Sequence, residues 1–353
     1  MTLRPDLPIL IVGQGIAGTI LAFEASKRGI PFEILDDGHR SASSIAAAGL
    51  YNPFILKRAK LSWKALDFFP SSRQFFAEAE QELGTGIDHE IGIVRRIHDI
   101  KEHNNWTAVE DELLATGLLG GTCSSDSIST LISAPLGYRA VPQAGYVDTG
   151  AFLSRSKQLF RDKGFFTEGV FKEEAVELGS TLKYENKAYS SIIVCKGYRS
   201  GEPDRFFSDL PFNPAKGHTL TIHCPDLTLD TIVSGPCFIL PLGKGNFRIG
   251  STYSWSKFNE EVEEQEVEKL RVNFRSFCQL PFEVLDCKAG VRPATKDRRP
   301  LIGASSVDVR VQLFGGMGSR AIMCAPLLAQ MHLDKLFSTG EIWPEVCLSR
   351  FSS

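Results

Sequence analysis

The start of the chain carries the pattern that most constrains its fold. An apolar run over residues 8–12 leads into Gly-Gln-Gly-Ile-Ala-Gly at 13–18, a helical pattern follows, and a second strand over 32–35 ends at Asp36. In such a βαβ unit the glycines permit a tight turn, the approach of backbone to a pyrophosphate and the packing of helix on strand. The acidic residue accepts hydrogen bonds from ribose hydroxyls. The unit therefore predicts a Rossmann-like domain that binds a dinucleotide at a helix N-terminus.

Composition is typical of a globular enzyme with two domains. The 353 residues are 43% hydrophobic and 23% charged, and the net charge is -3. This charge gives no general attraction for polyanions such as nucleic acid. Basic clusters at 57–60, 95–96 and 296–299 are expected to lie in solvated loops.

Cysteine and histidine usage argues against disulfides and metal sites. The eight cysteines are scattered without a C-x-x-C pair, and the seven histidines do not fall at metal-ligand spacing. We therefore expect reduced core thiols and no metal. Because the first strand begins by residue 8 and no apolar run approaches the roughly 20 residues of a membrane span, we expect a cytoplasmic protein without a membrane anchor.

Coarse periodicity predicts alternating helices and strands along the rest of the chain. A helical pattern over 62–83 should be kinked or split at Pro70. Residues 86–141 show short strand-like runs and loops, and a helix over 148–163 has Asp148 as its N-cap. The apolar run at 191–197 suits a return into the dinucleotide-binding sheet. A strand-rich block then follows, with strands over 219–223, 237–240 and 247–251 and a charged helix over 260–277.

Three segments beyond the N-terminal βαβ unit narrow the class of dinucleotide-binding protein to which the chain could belong. They are the small-residue loop at 43–51, Gly-Val-Arg-Pro-Ala-Thr-Lys-Asp-Arg-Arg-Pro-Leu-Ile-Gly at 290–303, and Leu-Phe-Gly-Gly-Met-Gly-Ser-Arg-Ala at 313–321. With the N-terminal fingerprint, the chain resembles the FAD-dependent D-amino-acid oxidase superfamily over nearly its whole length. The resemblance is strongest to glycine oxidases and to the FAD domain of the bifunctional tRNA 5-methylaminomethyl-2-thiouridine biosynthesis protein, whose matching loop also has Gly-Ser-Arg.

The resemblance implies an α/β fold with two discontinuous domains. One is a Rossmann-like FAD-binding domain, and the other is a substrate-binding domain of α+β type with a mainly antiparallel sheet. We expect the FAD-binding domain to comprise 1–80, 146–204 and 287–353, and the substrate-binding domain to comprise 81–145 and 205–286.

The resemblance also implies that FAD is the cofactor and is bound without a covalent link. Sarcosine oxidases of this superfamily attach flavin to a cysteine, and the matching position here is Gly290, with Cys287 three residues away. Val170 is expected to contact adenine through its backbone. The fingerprint and the resemblance together assign cofactor contacts to Gly13, Gly15, Ile16, Ala17, Gly18, Asp36, Asp37, Ser43, Ser44, Ala47, Ala48, Gly49, Leu50, Val170, Cys195, Gly197, Arg292, Gly315, Gly316, Met317, Gly318, Ser319 and Arg320.

Three residues are candidates for contact with substrate. The arginine that matches Arg292 binds the substrate carboxylate in glycine and D-amino-acid oxidases, and a guanidinium can grip a carboxylate through two parallel hydrogen bonds. Tyr253 and Arg320 are further candidates, although Tyr253 could equally be a rim residue and Arg320 could equally pair with the dinucleotide. The chain departs from glycine oxidases at Phe238, where they have a tyrosine, and at Ser319, where they have an arginine.

Three functional classes remain open from the sequence. The first is oxidation of the CH–NH bond of an amino acid or N-substituted glycine by hydride transfer to flavin, followed by imine hydrolysis. The alternative is an FAD oxidase that removes a carboxymethyl group from a tRNA wobble uridine, with tRNA as the partner. The third is a flavin- or nicotinamide-binding protein without oxidase activity. The oligomeric state is not predicted.

Overall fold

Two large β-sheets, described by a computed structural model, form the body of the protein. The structure describes residues 6–38, 43–123, 128 and 131–351. The helices are α1 (Ile16–Lys27), α2 (Ser43–Ala46), α3 (Ala65–Leu83), α4 (Ile100–Ala115), α5 (Thr149–Asp162), α6 (Glu264–Arg275) and α7 (Ala321–Phe337). The strands are β1 (Ile9–Val12), β2 (Phe32–Asp36), β3 (Leu50–Tyr51), β4 (Phe54–Ile55), β5 (Lys60–Leu61), β6 (Asp88–His89), β7 (Ile93–Arg96), β8 (Thr122–Cys123), β9 (Tyr138–Val141), β10 (Gly145–Val147), β11 (Phe166–Glu168), β12 (Val176–Glu177), β13 (Leu182–Tyr184), β14 (Lys187–Tyr189), β15 (Ser191–Val194), β16 (Ala215–His223), β17 (Ile232–Ser234), β18 (Phe238–Gly243), β19 (Asn246–Gly250), β20 (Glu283–Arg292), β21 (Leu301–Ala304) and β22 (Val311–Gly315).

The first sheet has six strands in the order β11-β2-β1-β15-β22-β21. All neighbours are parallel except β21 and β22, which are antiparallel. β1 lies at its centre, paired with β2 on one side and β15 on the other, and all four of its residues are buried. A continuous apolar strand of this kind requires cover on both faces of the sheet.

Alternate residues of β1 pack into two different layers. Ile9 and Ile11 belong to a core that includes α1, α3, α5 and α7. Leu10 and Val12 belong to a core on the other face, which is covered by the three-stranded sheet β12-β13-β14. The six-stranded sheet is therefore the middle layer of three, as expected for a dinucleotide-binding fold.

The second sheet has eight strands in the order β20-β16-β19-β18-β17-β7-β9-β8 and is antiparallel except between β17 and β7. α6 covers one face, with Leu270 and Phe274 packed in the same core as Leu220 and Ile249. The fold class predicted from the sequence, a Rossmann-like unit with a mainly antiparallel second sheet, is confirmed. The proposed division of the chain into domains at particular residues stays a prediction.

Two local predictions differ from the structure. α3 runs through Pro70 as one helix and is not split there, because a proline lacks only the N–H that would bond to the carbonyl of Leu66 four residues earlier. α4 lies where short strands and loops were expected. It is a polar helix capped by Asp99, whose side chain accepts from the amide of Glu102, and it is anchored by the fully buried Trp106.

The described residues do not include a helix both long enough and apolar enough to cross a membrane. Within the same residues, no three histidine, cysteine, aspartate or glutamate side chains are grouped so that they could hold a metal ion. The cysteines whose side chains are described are free thiols, five buried and two partly buried. The side chain of Cys123 lies outside the described part of the chain.

The aromatic core around α5 should dominate stability. The ring of Phe152 is fully buried, with its centroid 5.8 Å from that of Phe23 and 5.5 Å from that of Phe76. We expect Phe152→Ala to lower the free energy of unfolding by about 3–5 kcal/mol, because it leaves a cavity among these rings. Urea unfolding at one fixed FAD concentration measures the change. Leu66→Ala, at a residue 58% exposed, should change it by less than about 0.5 kcal/mol, and equal losses would contradict the assignment.

Candidate active site

A cavity of about 520 Å³ lies between the two sheets. On one side it is lined by residues at or just beyond the carboxyl ends of β1, β2, β15 and β22, namely Val12, Asp36, Cys195 and Gly315. This edge of an open α/β sheet is where ligands bind. The opposite side, here called the sheet wall, is formed by strands of the eight-stranded sheet and the residues that follow β19. Its members are Gly217, Thr219, Phe238, Ser251, Tyr253, Gly290 and Arg292.

The glycine turn between β1 and α1 is built as the sequence predicts. Gly13 has φ +102°, and a Cβ there would lie 2.7 Å from the carbonyl oxygen of Cys195. A Cβ on Gly18 would lie 1.9 Å from the carbonyl oxygen of Gly13, so α1 packs directly on the turn. Gly15 precedes the helix and lines the cavity with Ala17, so this helix N-terminus suits an anion such as a pyrophosphate.

Asp36 is held rigidly at the end of β2. Its Oδ2 accepts from the amide of Gln14 at 2.7 Å, and its Oδ1 accepts from the amide of Gly38 at 2.8 Å. Each carboxylate oxygen keeps a second acceptor site, so the group can also receive ribose hydroxyls from the cavity that it lines. Asp37 lines the same cavity, with its Oδ2 3.7 Å from Nη1 of Arg199.

The small-residue loop at 43–51 connects the glycine turn to the sheet wall. The Oγ of Ser44 accepts from the amide of Ile16 at 3.2 Å. A Cβ on Gly290 would lie only 2.9 Å from the Cβ of Ala46, so a side chain at position 290 would push this loop away. Thr219 donates to the carbonyl of Ala46 at 3.2 Å. The loop is therefore clamped between the two sheets, with its backbone along the cavity.

Arg292 ends β20 and points its guanidinium into the cavity. Its Nη2 donates to the Oγ of Ser251 at 2.8 Å, its Nη1 donates to the carbonyl of Thr252 at 3.3 Å, and its Cζ lies 4.2 Å from the ring centroid of Tyr253. Burial lowers the pKa of Arg292 from its ordinary value. No carboxylate in the described part of the chain forms an ion pair with it, so the group suits an anionic ligand.

Gly217 is a site residue that the sequence analysis missed. A Cβ at this position would lie 2.4 Å from both Nη atoms of Arg292, so the guanidinium rests directly on the backbone of β16. A glycine inside an otherwise apolar strand is a recognised signal of close approach by another group and could have identified it. The other residues that were missed at the cavity lining include Gly169, Phe171, Lys196, Tyr198, Arg199, Thr219 and Ser251.

The loop between β22 and α7 closes the cavity on a third side. Gly316 has φ +70° and Gly318 has φ +57°. Both glycines line the cavity, as do Met317 and Ser319. Arg320 is the N-cap residue of α7, and its Nη2 donates to the carbonyl of Phe54 at 3.4 Å.

The structure brings together nearly all of the predicted site residues, each of which it describes. Gly18 packs against the glycine turn and does not line the cavity. Val170 is 65% exposed and lies at the margin of the cavity. Those that line the cavity are Gly13, Gly15, Ile16, Ala17, Asp36, Asp37, Ser43, Ser44, Ala47, Ala48, Gly49, Leu50, Val170, Cys195, Gly197, Tyr253, Arg292, Gly315, Gly316, Met317, Gly318, Ser319 and Arg320.

These residues fit FAD: the glycine turn would hold the pyrophosphate, and the small-residue loop would lie along the ring system. The geometry also suits a non-covalent complex. Cys287 pairs with Leu220 in the sheet and packs in the core beneath α6, on the face of β20 opposite to Gly290. Burial and neighbouring acidic groups raise the pKa of its thiol to about 11, which disfavours the reactive thiolate.

Removal of the Asp36 carboxylate should weaken FAD binding. We expect Asp36→Ala to cost roughly 2–4 kcal/mol of binding free energy, because both the ribose contacts and the anchor of the glycine turn are lost. The dissociation constant can be measured by titrating apoprotein with FAD. Glu33→Ala is the matched control, since Glu33 also lies on β2 but accepts from the phenol of Tyr189 at 2.8 Å outside the cavity lining. Unchanged affinity in Asp36→Ala would refute the ribose assignment.

Comparison with known proteins identifies the family of this chain. The chain is 24% identical to glycine oxidase of Bacillus licheniformis, over 95% of this chain and 94% of that protein. It is 23% identical to the tRNA 5-methylaminomethyl-2-thiouridine biosynthesis bifunctional protein of Marinobacter nauticus, over 93% of this chain but 55% of that protein. The crystal structure of glycine oxidase from Geobacillus kaustophilus superposes with a TM-score of 0.80 at 20% identity, covering 95% of each chain. Residues 8–334 match the family described as FAD dependent oxidoreductase, and the chain belongs to that family.

Proposed function

We propose that this FAD-dependent oxidoreductase oxidises the CH–NH bond of an amino acid or N-substituted glycine. The observation that carries the proposal is Arg292, a guanidinium inside the cavity whose contacts within the described chain are all to uncharged groups. A carboxylate on the substrate would compensate this charge and would fix the adjacent carbon in one orientation.

The surroundings of Arg292 support a role in orienting substrate. Gly217, Ser251 and Tyr253 contact three different parts of its guanidinium, so the group has little freedom to rotate. A planar fork held in this way presents its remaining N–H donors in one direction. It can therefore place the carbon next to the amine beside the small-residue loop, where the ring system of the cofactor is expected.

The proposed reaction requires a hydride acceptor, which FAD supplies when it is bound. As the hydride leaves the carbon, the nitrogen lone pair forms the C=N bond. Water then adds to the imine and releases a carbonyl compound and the shortened amine or ammonia. The protein contributes the position of the carboxylate and a largely apolar environment around the reacting carbon, to which Phe238 and Met317 contribute.

The cavity near Arg292 has no obvious proton acceptor. The described residues of the sheet wall and of the loop 315–320 include no aspartate, glutamate, histidine or lysine side chain that lines the cavity. The amine must therefore reach the site in its neutral form, because an ammonium nitrogen has no lone pair to form the C=N bond. Solvent removes the proton before the hydride leaves.

Substitution of Arg292 tests the carboxylate anchor. We expect Arg292→Ala to lose roughly 3–5 kcal/mol of transition-state stabilisation and to retain its FAD. Arg292→Lys should also fail, because an ammonium keeps the charge but lacks the planar fork. The readout is anaerobic flavin reduction by an amino acid or N-substituted glycine that reduces the wild-type flavin, at subsaturating concentration, with Lys296→Met on the exposed loop as the control. Wild-type rates in Arg292→Ala would exclude the anchor.

The pH dependence of flavin reduction tests whether solvent, and not a protein side chain, removes the amine proton. At subsaturating substrate the rate should rise with pH until the amine is neutral, and the midpoint should follow the substrate and not the protein. N-methylglycine and its N-trifluoroethyl analogue, whose amine is much less basic, provide the comparison. We expect the midpoint to move to lower pH with the analogue. A midpoint common to both substrates would instead indicate a protein group that accepts the proton.

A second candidate substrate is a carboxymethylaminomethyl group on tRNA. One observation favours it: the guanidinium of Arg299 lies 4.4 Å from the ring centroid of Trp63, which follows the basic cluster at 57–60, so two basic clusters meet there. The third cluster does not contribute, since Arg95 is buried and paired with Glu102. We place this candidate second, because the net charge is -3 and the chain covers 55% of the bifunctional relative. Reduction of the flavin by modified tRNA but not by small N-substituted glycines would reverse the order.

A further inference from the structure

Four basic side chains line the described part of the cavity, of which two have carboxylate partners within the described residues and two do not. Lys196 has carboxylate partners, with its Nζ 2.9 Å from Oδ2 of Asp204 and 3.5 Å from Oε1 of Glu173. Arg199 lies 3.7 Å from the carboxylate of Asp37. These two cations are therefore compensated by the protein itself, at the end of the cavity near Asp37.

Arg292 and Arg320 are the two basic residues of the cavity lining without such a partner. Neither forms an ion pair with a carboxylate of the described residues, and both are partly buried. Arg292 contacts a hydroxyl, a carbonyl and an aromatic ring, whereas the guanidinium of Arg320 donates a long hydrogen bond, at 3.4 Å, to the carbonyl of Phe54. A guanidinium has five N–H donors, so most of those on Arg320 remain available to a ligand.

The two arginines face the same part of the cavity. Both line it, and the segments that carry them meet where the amide of Gly318 donates to the carbonyl of Pro293 at 3.0 Å. Burial lowers the pKa of both guanidinium groups. The acidic residues that line the cavity, Asp36 and Asp37, lie at the other end, beyond β2. A buried charge without a counter-ion is expensive, and this cost applies to each of the two guanidinium groups. An anionic ligand that reaches both would remove both costs.

We propose that the natural substrate is an amine that carries two acidic groups, one bound by Arg292 and the other by Arg320. The carbon that is oxidised lies between the two acidic groups or next to the one that Arg292 binds. This inference rests on the proposed function, because it assigns Arg292 to the substrate carboxylate. The class is that of N-carboxyalkyl amino acids and related amino dicarboxylic acids.

The cofactor does not account for Arg320 equally well. The pyrophosphate is expected at the glycine turn, where Gly13, Gly15 and Ala17 line the cavity. Arg320 instead lies at the start of α7, where its guanidinium donates to the carbonyl of Phe54. A substrate with one carboxylate would leave this second guanidinium buried without an anion.

Unreactive thioether acids test the proposal in the holoprotein. They replace the amine nitrogen by sulfur, so they bind without reducing the flavin. Thiodiacetate and (ethylthio)acetate have the same length and differ only in whether the second arm ends in carboxylate or methyl. A second pair, 3-(carboxymethylthio)propionate and (propylthio)acetate, lengthens that arm by one methylene. Dissociation constants follow from the change in flavin absorbance and from calorimetry.

For at least one pair, we expect the wild-type protein to bind the diacid about tenfold or more tightly than the monoacid. Arg320→Gln should bring this ratio to about twofold or less, and Arg320→Lys should keep part of it, because a charge remains. Lys57→Gln is the control, since it removes an exposed positive charge near Phe54 and should leave the ratio unchanged.

Several outcomes would overturn the proposal. These are equal binding of diacid and monoacid by the wild type, an unchanged ratio in Arg320→Gln, and equal weakening of both ligands, which would mean that both arginines hold one carboxylate. Loss of FAD from Arg320→Gln would assign the residue to the cofactor and also overturn it. Failure of the proposed function is distinguishable, because it would show as amines that do not reduce the flavin, whatever the binding ratio.

Discussion

The space left by two glycines on neighbouring strands is the constraint on which the site of this structure depends. Gly217 and Gly290 are directly opposite each other on the neighbouring strands β16 and β20. The first leaves room for the guanidinium of Arg292, and the second leaves room for the loop that contains Ala46. A methyl group at either position would meet atoms at less than 3 Å. One pair of missing side chains therefore sets both where the carboxylate anchor lies and how near the small-residue loop comes to the sheet.

Much of the fold could be predicted because its signals are local. The glycine turn, the buried central strands and the Asp148 cap each depend on a few adjacent residues, and the structure has all three. α4 could not be predicted in the same way. Its apolar stripe is narrow, and Trp106 becomes an anchor only once Phe54, far away in sequence, supplies a partner whose ring lies 6.0 Å away. Tertiary contacts of this kind leave little periodicity to detect.

The candidate site shows the same division between local and distant information. Positions within motifs, such as Asp36 and Arg292, could be assigned before the structure was known. What surrounds them could not, because Gly217 and Ser251 reach Arg292 only through the pairing of β16, β19 and β20. That no carboxylate among the described residues forms an ion pair with Arg320 is likewise a property of the folded chain, and sequence analysis left the role of Arg320 open between cofactor and substrate.

The cavity lies between two sheets that contribute different chemistry, and this has a consequence for how such a protein can diversify. Contacts assigned to the dinucleotide come mostly from the six-stranded sheet and its loops, whereas Phe238 lies on β18 of the eight-stranded sheet and Ser251 and Tyr253 directly follow β19. Replacements at the tips of β18 and β19 can therefore change which molecule is accepted and leave the cofactor cradle intact. An ancestral enzyme with this architecture could acquire new substrates by drift at a few strand ends, without passing through forms that lose their flavin.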